Sequence, residues 1–284
     1  MRTRPSLGIV GAGKVGQTLA RLWYEAGYTI AAVNSRTPAS AASLASAVES
    51  VAAADPAQVI DRADLTLIAV PDDAVEPLAS QLAAGSLAGK GVVHTSGVHG
   101  REALAALAAR GAMTGSLHPA YPFAGIERSL AGTTFAVEAE SDRLLGWIID
   151  MVAALNGTIM RVPPGSKALY HAALVIASNY AVTLYAVAER LLLTLSEDRA
   201  AVDGALNTLV EATVANLRQK GIPHALTGPL VRGDTGTIAA HLAALAAHDE
   251  QVTDLYRRLG RLSLPMLAAR GVATEDIDNL LDGA

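Results

Sequence analysis

A glycine-rich segment near the start of the chain restricts the fold more than any other feature. Segment 11–16 follows the apolar run Leu7–Val10, which is typical of a buried strand, and opens a helical pattern. In this context Gly11 permits a tight turn, Gly13 lets backbone N–H groups approach a phosphate, and Gly16 lets helix and sheet pack closely. The segment predicts a Rossmann-type dinucleotide site rather than a bare turn. The residues expected at the pyrophosphate are Gly11, Gly13, Lys14, Val15 and Gly16.

The residues after the second predicted strand indicate which dinucleotide binds. An NAD-selective site places a carboxylate there to hold both ribose hydroxyls, whereas this chain has Asn34, Ser35 and Arg36. Arg36 can pair with a 2′-phosphate and stack on adenine, and Ser35 can donate a hydrogen bond, so NADP(H) is preferred over NAD(H). The alternative is that Arg36 is a solvated loop arginine. Val70 and Pro71 end a later strand and are expected beside the nicotinamide half of the cofactor.

Strand and helix patterns alternate along the first part of the chain. Short β-rich runs are separated by helical patterns at the spacing of βαβ units. The predicted strands are Leu7–Val10, Thr29–Val33, Leu65–Val70, Gly91–Thr95, Ala112–Leu117, Thr133–Val137 and Thr158–Val162. This α/β pattern predicts a doubly wound, mainly parallel Rossmann sheet over residues 1–162.

The run from Pro163 to Gly165 breaks this pattern and predicts a domain boundary. A helix begins near Ser166 and continues without proline or glycine to about Leu195. No strand is predicted after it, so residues 163–284 are expected to form an all-α domain. Its long helices, rich in alanine and leucine, favour a homodimer through this second domain.

Composition excludes several classes of protein. The net charge is −5 and no Lys/Arg-rich run occurs, which argues against a nucleic-acid partner. The chain has no cysteine, and its histidines lack a metal-binding spacing, so no metal site is expected. The longest apolar run, Ala172–Leu195, is interrupted by polar and charged residues. A cytoplasmic protein without a membrane span or signal sequence is therefore expected.

Several motifs are similar to those of known oxidoreductases. They are the glycine-rich segment 11–16, His94–Gly97, Gly115–Pro119, Lys167–His171 with Ser178–Tyr180, and Leu226–Asp234. With them the chain resembles the 6-phosphogluconate dehydrogenase-like superfamily, which includes ketopantoate and pyrroline-5-carboxylate reductases. It resembles more closely the bacterial proteins that join a Rossmann-like domain to a C-terminal DUF2520 domain, a family without a settled substrate.

Lys167 is the first candidate for catalysis. Reduction of a carbonyl or imine needs a group that gives a proton or positive charge to the developing anion. The helical repeat places Lys167, His171 and Ser178 on one stripe. In related hydroxyacid dehydrogenases and ketopantoate reductases, a substrate-binding Asn typically follows the catalytic Lys by four residues, where this chain has His171. His171 is expected to bind a substrate carboxylate or to act as the acid. The alternatives are a snorkelling lysine and a half-buried histidine bonded to a carbonyl.

Further candidates come from loops and from the second domain. Ser96 follows a strand at the carboxyl edge of the sheet and either supports a substrate oxygen or caps a turn. His118 resembles a His-Pro element of prephenate dehydrogenase-like enzymes, or is a turn residue. Segment 233–238 is similar to the stretch with which pyrroline-5-carboxylate reductases hold a carboxylate, although it could merely cap a helix. The candidate substrate-binding residues are His118, Asn179, Arg232, Thr235 and Thr237.

These features predict an NADPH-dependent reductase. Its substrate is expected to be a small 2-oxo acid, with ketopantoate first, or a cyclic imine, held between the two domains. Lys167 would stabilise the oxyanion, His171 and Ser178 would orient the acid, and Ser96 would support the carbonyl. The competing prediction is a non-catalytic NADP(H)-binding sensor or regulatory protein, which would bind the cofactor tightly without turnover.

Overall fold

The computed structural model describes residues 4–283, which divide into two compact units. The first unit ends at Asn179 and the second begins at Tyr180. The division falls later than the predicted one at Pro163–Gly165. The whole helix Lys167–Ala177 belongs to the first unit, where the side chain of Lys167 is buried.

A seven-stranded sheet forms the centre of the first unit, in the order β2-β1-β3-β4-β5-β6-β7. The strands are β1 (Leu7–Val10), β2 (Ile30–Asn34), β3 (Leu65–Ile68), β4 (Gly91–His94), β5 (Met113–Pro119), β6 (Thr134–Ala139) and β7 (Thr158–Arg161). All neighbours pair in parallel except β5 and β6, which are antiparallel. The predicted mainly parallel sheet is confirmed, and its last two strands run opposite to the other five.

Helices cover both faces of this sheet. They are α1 (Lys14–Glu25), α2 (Pro38–Ala47), α3 (Pro56–Arg62), α4 (Asp72–Leu82), α5 (Ala105–Ala108), α6 (Asp142–Ala154) and α7 (Lys167–Ala177), with a short 3-10 helix at Arg101–Leu104. Alternate strand residues enter two separate apolar cores, as Ile9 and Val10 do in β1. This two-sided burial explains why β1 is apolar along its whole length.

The second unit is all-helical over Tyr180–Gly283, the part that the structure describes, as predicted. Its helices are α8 (Asn179–Leu193), α9 (Arg199–Lys220), α10 (Pro229–Arg232), α11 (Thr235–Ala246), α12 (Glu250–Ala268) and α13 (Glu275–Asp282). A small core joins α11, α12 and α13 through Ile238, Leu242, Leu267, Ile277 and Leu281. By contrast, α8 has no buried residue and α9 buries only Val202 and Leu206.

The helical stretch from α7 through α8 is unusually apolar. Within Lys167–Leu193, the most apolar segment of 18 residues has a mean hydropathy of 1.4. None of the residues in that segment is buried. By length and composition alone, such a helix is able to cross a membrane, and helices of soluble proteins also have these properties. The absence of a membrane span therefore stays a prediction.

Candidate functional site

The turn after β1 has a backbone that requires glycine at two positions. Gly11 has φ +106°, and a Cβ on it would overlap the Ala69 carbonyl oxygen. A Cβ on Gly16 would overlap the carbonyl oxygen of Gly11 itself. These two glycines therefore let β1, α1 and the end of β3 approach one another closely.

Gly13 differs from the other two glycines. Its φ is −79°, and no heavy atom of the described residues lies within 4 Å of an ideal Cβ at this position. Gly13 is the N-cap residue of α1 and brings no side-chain cap, so the first-turn N–H groups remain available to an anion. Lys14 beside it is exposed and Val15 is half-buried. This arrangement fits the pyrophosphate of a dinucleotide.

The residues predicted to recognise the ribose of the cofactor lie at the end of β2 and in the loop that follows it. Asn34 is buried, and its Nδ2 donates a hydrogen bond of 2.9 Å to the carbonyl oxygen of Ala53, so its amide nitrogen holds the following segment. Ser35 is half-buried and Arg36 is exposed, in the loop that leads to α2. Arg36 is thus accessible to a ligand at the carboxyl edge of β2. At the end of β3, Val70 is half-buried and Pro71 is exposed.

His94 organises the loop that follows β4. Its fully buried ring accepts a hydrogen bond of 3.1 Å from the Ser96 N–H at Nδ1, so Nε2 carries the proton and donates to the Gly100 carbonyl oxygen at 2.8 Å. Burial lowers the pKa of His94 to about 4. His94 is therefore a neutral clamp on loop 95–100 at physiological pH.

Ser96 and Gly97 shape the same loop. Ser96 is 2% exposed, and its Oγ accepts hydrogen bonds from the N–H groups of Val98 at 3.3 Å and His99 at 3.1 Å. This is the turn-forming role that the sequence left open, and a role toward substrate stays a prediction. A Cβ on Gly97 would lie 2.6 Å from His171 Cδ2 and 2.9 Å from His118 Nε2. Glycine at position 97 therefore lets two imidazole rings approach the loop.

Lys167 is a buried cation of the first unit. Its side chain is 2% exposed, and its Nζ has no hydrogen-bond partner among the described residues. Burial lowers the pKa of Lys167 to about 8, against the carboxylates of Glu138, Glu102 and Asp72, which raise it. A buried ammonium with a pKa this close to neutrality is suited to donate a proton.

His118, on β5, meets two residues of α7. His118 Nδ1 and the Tyr170 hydroxyl share a hydrogen bond of 2.8 Å, and the rings of His118 and His171 lie edge to face with centroids 6.0 Å apart. Burial, and then the charge of Lys167, lower the pKa of His118 to about 4, while burial raises the pKa of Tyr170 to about 12. Both groups are therefore neutral near pH 7, and Lys167 Nζ lies 5.3 Å from the Tyr170 ring centroid.

The structure brings only some of the predicted site residues together. Lys167, His171, His118 and the Ser96–Gly97 loop gather at the carboxyl edge of β4 and β5. Ser178 and Asn179 are exposed where α7 passes into α8. Helical geometry separates Ser178 from Lys167 by roughly 16 Å along the axis, because each residue rises about 1.5 Å. The predicted roles of Ser178 and Asn179 toward a substrate stay predictions.

The candidates of the second unit form a local cap. Asp234 accepts hydrogen bonds from the Thr237 N–H at 3.0 Å and the Thr237 hydroxyl at 2.7 Å, and these bonds lower the pKa of Asp234. Arg232 Nη2 lies 3.7 Å from the same carboxylate, and Thr235 is the first residue of α11. The capping alternative thus describes this segment, and carboxylate binding by Arg232, Thr235 and Thr237 stays a prediction.

The sequence did not single out three residues that the structure places here. His94 stands within the His94–Gly97 motif, and Tyr170 lies one turn after Lys167 on the same helix, a spacing that indicates a shared helix face. Glu138 belongs to a strand that is otherwise largely apolar. An ionisable residue in such a strand is a usable signal, but its neighbours depend on strand register.

Two family models match the sequence. Residues 1–119 match the Rossmann-like domain, and residues 133–263 match DUF2520, a domain of unknown function. The expected combination of a Rossmann-like domain with DUF2520 is confirmed. A comparison with curated proteins finds no match.

Solved structures share the fold over nearly the whole chain. A provisionally named NADP oxidoreductase from Bacteroides fragilis is 26% identical, with a TM-score of 0.70 over 91% of this chain and 97% of the other. Protein TM1727 from Thermotoga maritima is 23% identical, with a TM-score of 0.74 over 93% and 99%. A reductive aminase from Aspergillus terreus, in complex with NADPH and ethyl-5-oxohexanoate, is 20% identical, with a TM-score of 0.64 over 99% and 93%. The chain therefore has an NAD(P)-binding oxidoreductase fold related to that of the imine reductases.

Proposed function

We propose that this chain, in which a Rossmann-like domain is followed by DUF2520, is an NADPH-dependent reductase of a small carbonyl or imine compound. The observation that carries the proposal is the buried Lys167 ammonium, without a hydrogen-bond partner among the described residues, beside the neutral His118. Both lie at the carboxyl edge of the sheet, the edge at which the glycine-rich turn also lies. In open α/β sheets this edge is where ligands bind.

The residues of the first unit account for binding and proton transfer. NADPH, when bound, would supply the hydride. The first turn of α1 and Gly13 would hold the pyrophosphate, and Arg36 would hold the 2′-phosphate. Lys167 Nζ would stabilise negative charge that develops on the substrate oxygen or nitrogen and then donate its proton to that atom. His118, which is neutral near pH 7, does not compete with Lys167 as a cation.

The substrate we favour is a small 2-oxo acid of the ketopantoate type or a cyclic imine. The ammonium of Lys167 favours a group that gains negative charge on reduction. His171, half-buried beside His118, is placed to bind a second polar group of the same molecule. The imine reductases and reductive aminases with this fold support the imine alternative.

A substrate panel tests this proposal. Oxidation of NADPH should be followed by its absorbance in the presence of 2-oxo acids and cyclic imines, after calorimetric titration of the cofactor. Turnover with one class supports the reductase and identifies its substrates. Tight NADPH binding without turnover across the panel would favour the non-catalytic sensor, and no binding would contradict both functions.

Arg36 should decide the choice between the two dinucleotides. Arg36→Ala is expected to weaken NADPH binding by about 10- to 100-fold, because a charge-assisted pair with a phosphate contributes about 1.5–3 kcal/mol. The affinity for NADH should change little. Calorimetric titration of both cofactors measures this. Arg110→Ala is the matched control, since Arg110 is also exposed but precedes β5, at the amino edge of the sheet. Equal losses for both cofactors would contradict the assignment.

We also propose that the second unit forms a homodimer. Large apolar side chains are exposed on three of its helices, including Val182 at 71%, Leu209 at 64% and Leu262 at 74%. Helices this apolar are stable in water only when another surface covers them. Sedimentation velocity should give twice the mass of one chain, and Leu209→Glu should shift the protein toward monomer. A monomeric wild type would contradict the dimer, and a requirement for detergent would favour a membrane span instead.

A further inference from the structure

We propose that Glu138 is a positioning residue that holds Lys167 in its ammonium form, so that a carboxylate–ammonium couple forms the acid of this site. The proposal rests on the proposed reductase function for its catalytic meaning. The couple itself is a property of the folded first unit, and it can be measured without any substrate or cofactor.

The first observation concerns the burial of two opposite charges. Glu138 is 5% exposed and Lys167 is 2% exposed. Among the residues that the structure describes, neither Glu138 Oε1 nor Lys167 Nζ has a hydrogen-bond partner. An isolated buried charge is strongly unfavourable, whereas an opposite charge nearby offsets part of that cost. Of the charges that raise the pKa of Lys167, the carboxylate of Glu138 has the largest effect.

The second observation is that backbone contacts hold Glu138 in place. Glu138 Oε2 accepts a hydrogen bond of 3.0 Å from the Arg101 N–H. Arg101 directly follows the loop that His94 and Ser96 organise. Strand register places Glu138 opposite Ser116 of β5, and Ser116 opposite His94 of β4. One carboxylate oxygen is therefore fixed by this network, while the other, Oε1, is buried without a hydrogen-bond partner among the described residues.

The remaining groups around Lys167 do not replace Glu138. Glu102 and Asp72 also raise the pKa of Lys167, but both residues are exposed, and solvent weakens their effect. Glu102 Oε1 is further occupied by the Gly100 N–H at 2.8 Å. The other titratable groups facing this region are His94 and His118, whose pKa values burial lowers to about 4, Tyr170, whose pKa burial raises to about 12, and His171.

The consequence concerns which form of Lys167 is present at neutral pH. Burial alone favours the neutral amine, and the carboxylates oppose it, with a resulting pKa of about 8. Removal of the Glu138 charge leaves fewer carboxylates to oppose the effect of burial, so the pKa of Lys167 would fall. Lys167 would then lose its proton at a lower pH than in the wild type, and less of it would be available as an acid at neutral pH. Reduction requires a proton donor, so activity would fall once Lys167 loses its proton. The charge of Glu138 would therefore set the pH at which activity declines on the alkaline side.

Lysine-selective NMR can measure this directly. The chain has four lysines, Lys14, Lys90, Lys167 and Lys220, so ¹³Cε-labelled lysine gives four signals, and Lys167→Arg identifies the signal of Lys167. In Glu138→Gln, which keeps an oxygen for the Arg101 N–H, the midpoint of Lys167 should fall by at least about one pH unit, a tenfold loss of proton affinity. An unchanged midpoint would overturn the proposal.

Glu140→Gln is the matched control. Glu140 Oε2 accepts hydrogen bonds of 3.0 Å from the N–H and the hydroxyl of Thr114, and it is not among the charges that act on Lys167. In Glu140→Gln, the titration midpoint of Lys167 should match that of the wild type. A shift as large as the one in Glu138→Gln would overturn the proposal. Glu138→Asp shortens the side chain by one methylene. Its Lys167 midpoint should therefore lie between those of the wild type and Glu138→Gln. If the glutamine variant does not fold, an unchanged midpoint in Glu138→Asp overturns the proposal.

The pH profile of activity gives a second readout. The alkaline limb of kcat/KM should move to lower pH in Glu138→Gln, with much smaller losses at acidic pH. A purely structural role would lower the rate by a similar factor at every pH. The NMR titration is done on the protein without cofactor, so absence of reductase activity would leave its result intact, and the two proposals can fail separately.

Discussion

Replacement of Lys167 by alanine is expected to lower kcat/KM for reduction by about 10²- to 10⁴-fold while NADPH still binds. Lys167 is a buried cation that holds a transferable proton near neutral pH, whereas the neighbouring histidines His94 and His118 are neutral there. The glycine-rich turn that would hold the cofactor does not use the Lys167 side chain. Steady-state kinetics with the best substrate of the panel, together with calorimetric titration of NADPH, measures both effects.

The control for this experiment is Lys220→Ala. Lys220 is exposed at the end of α9 in the second unit, and its removal should leave kcat/KM unchanged. A Lys167→Ala protein with wild-type turnover would remove the lysine from the mechanism. Parallel loss of NADPH affinity would instead indicate that Lys167 acts through cofactor binding or through the fold.

The glycines of the turn after β1 should separate stability from cofactor binding. Gly16→Ala is expected to lower the free energy of unfolding by about 3 kcal/mol, because its Cβ overlaps the Gly11 carbonyl oxygen and the backbone of β1 or α1 must move. Gly13→Ala should leave stability within about 0.5 kcal/mol of the wild type, since its φ of −79° suits alanine and the space around its Cβ is open.

The same pair should behave in the opposite way toward NADPH. With the proposed function, the Cβ added in Gly13→Ala would stand where the pyrophosphate approaches the backbone, so the affinity should fall by about tenfold or more, which corresponds to about 1.4 kcal/mol. Urea denaturation and calorimetric titration measure the two quantities. Wild-type NADPH affinity in Gly13→Ala would show that the phosphates do not bind at this turn. Wild-type stability in Gly16→Ala would contradict the close approach of the two glycines.

Much of the first unit was predictable because its determinants are local. Runs such as Leu7–Val10 are apolar on both faces, and such runs separated by helical patterns indicate a parallel sheet. The turn at Gly11 was predictable because a positive φ and a close approach leave no alternative to glycine. The direction of β6 was not predictable, since a strand has the same composition whichever way it runs against its neighbour.

The boundary between the units shows a similar limit. The break at Pro163–Gly165 ends the strand pattern, which local conformational preferences explain. The division nevertheless falls after α7, because the burial of Lys167 and the contact of Tyr170 with His118 attach that helix to the sheet. Such attachments depend on which surfaces meet in space, and no local pattern reports them.

By itself the sequence determined the sheet-forming strands, the glycine-rich turn and the position of Lys167 in the first turn of a helix, whereas the predicted uninterrupted helix to about Leu195 is divided at Ser178 into α7 and α8. Each of these follows from interactions between residues close together along the chain. Only the tertiary structure decided that Glu138 acts on Lys167, that His118 meets Tyr170 and His171, and that Ser96 closes a loop. Strand register and the packing of α7 on the sheet create these contacts, and both result from the burial of apolar surface by the chain as a whole.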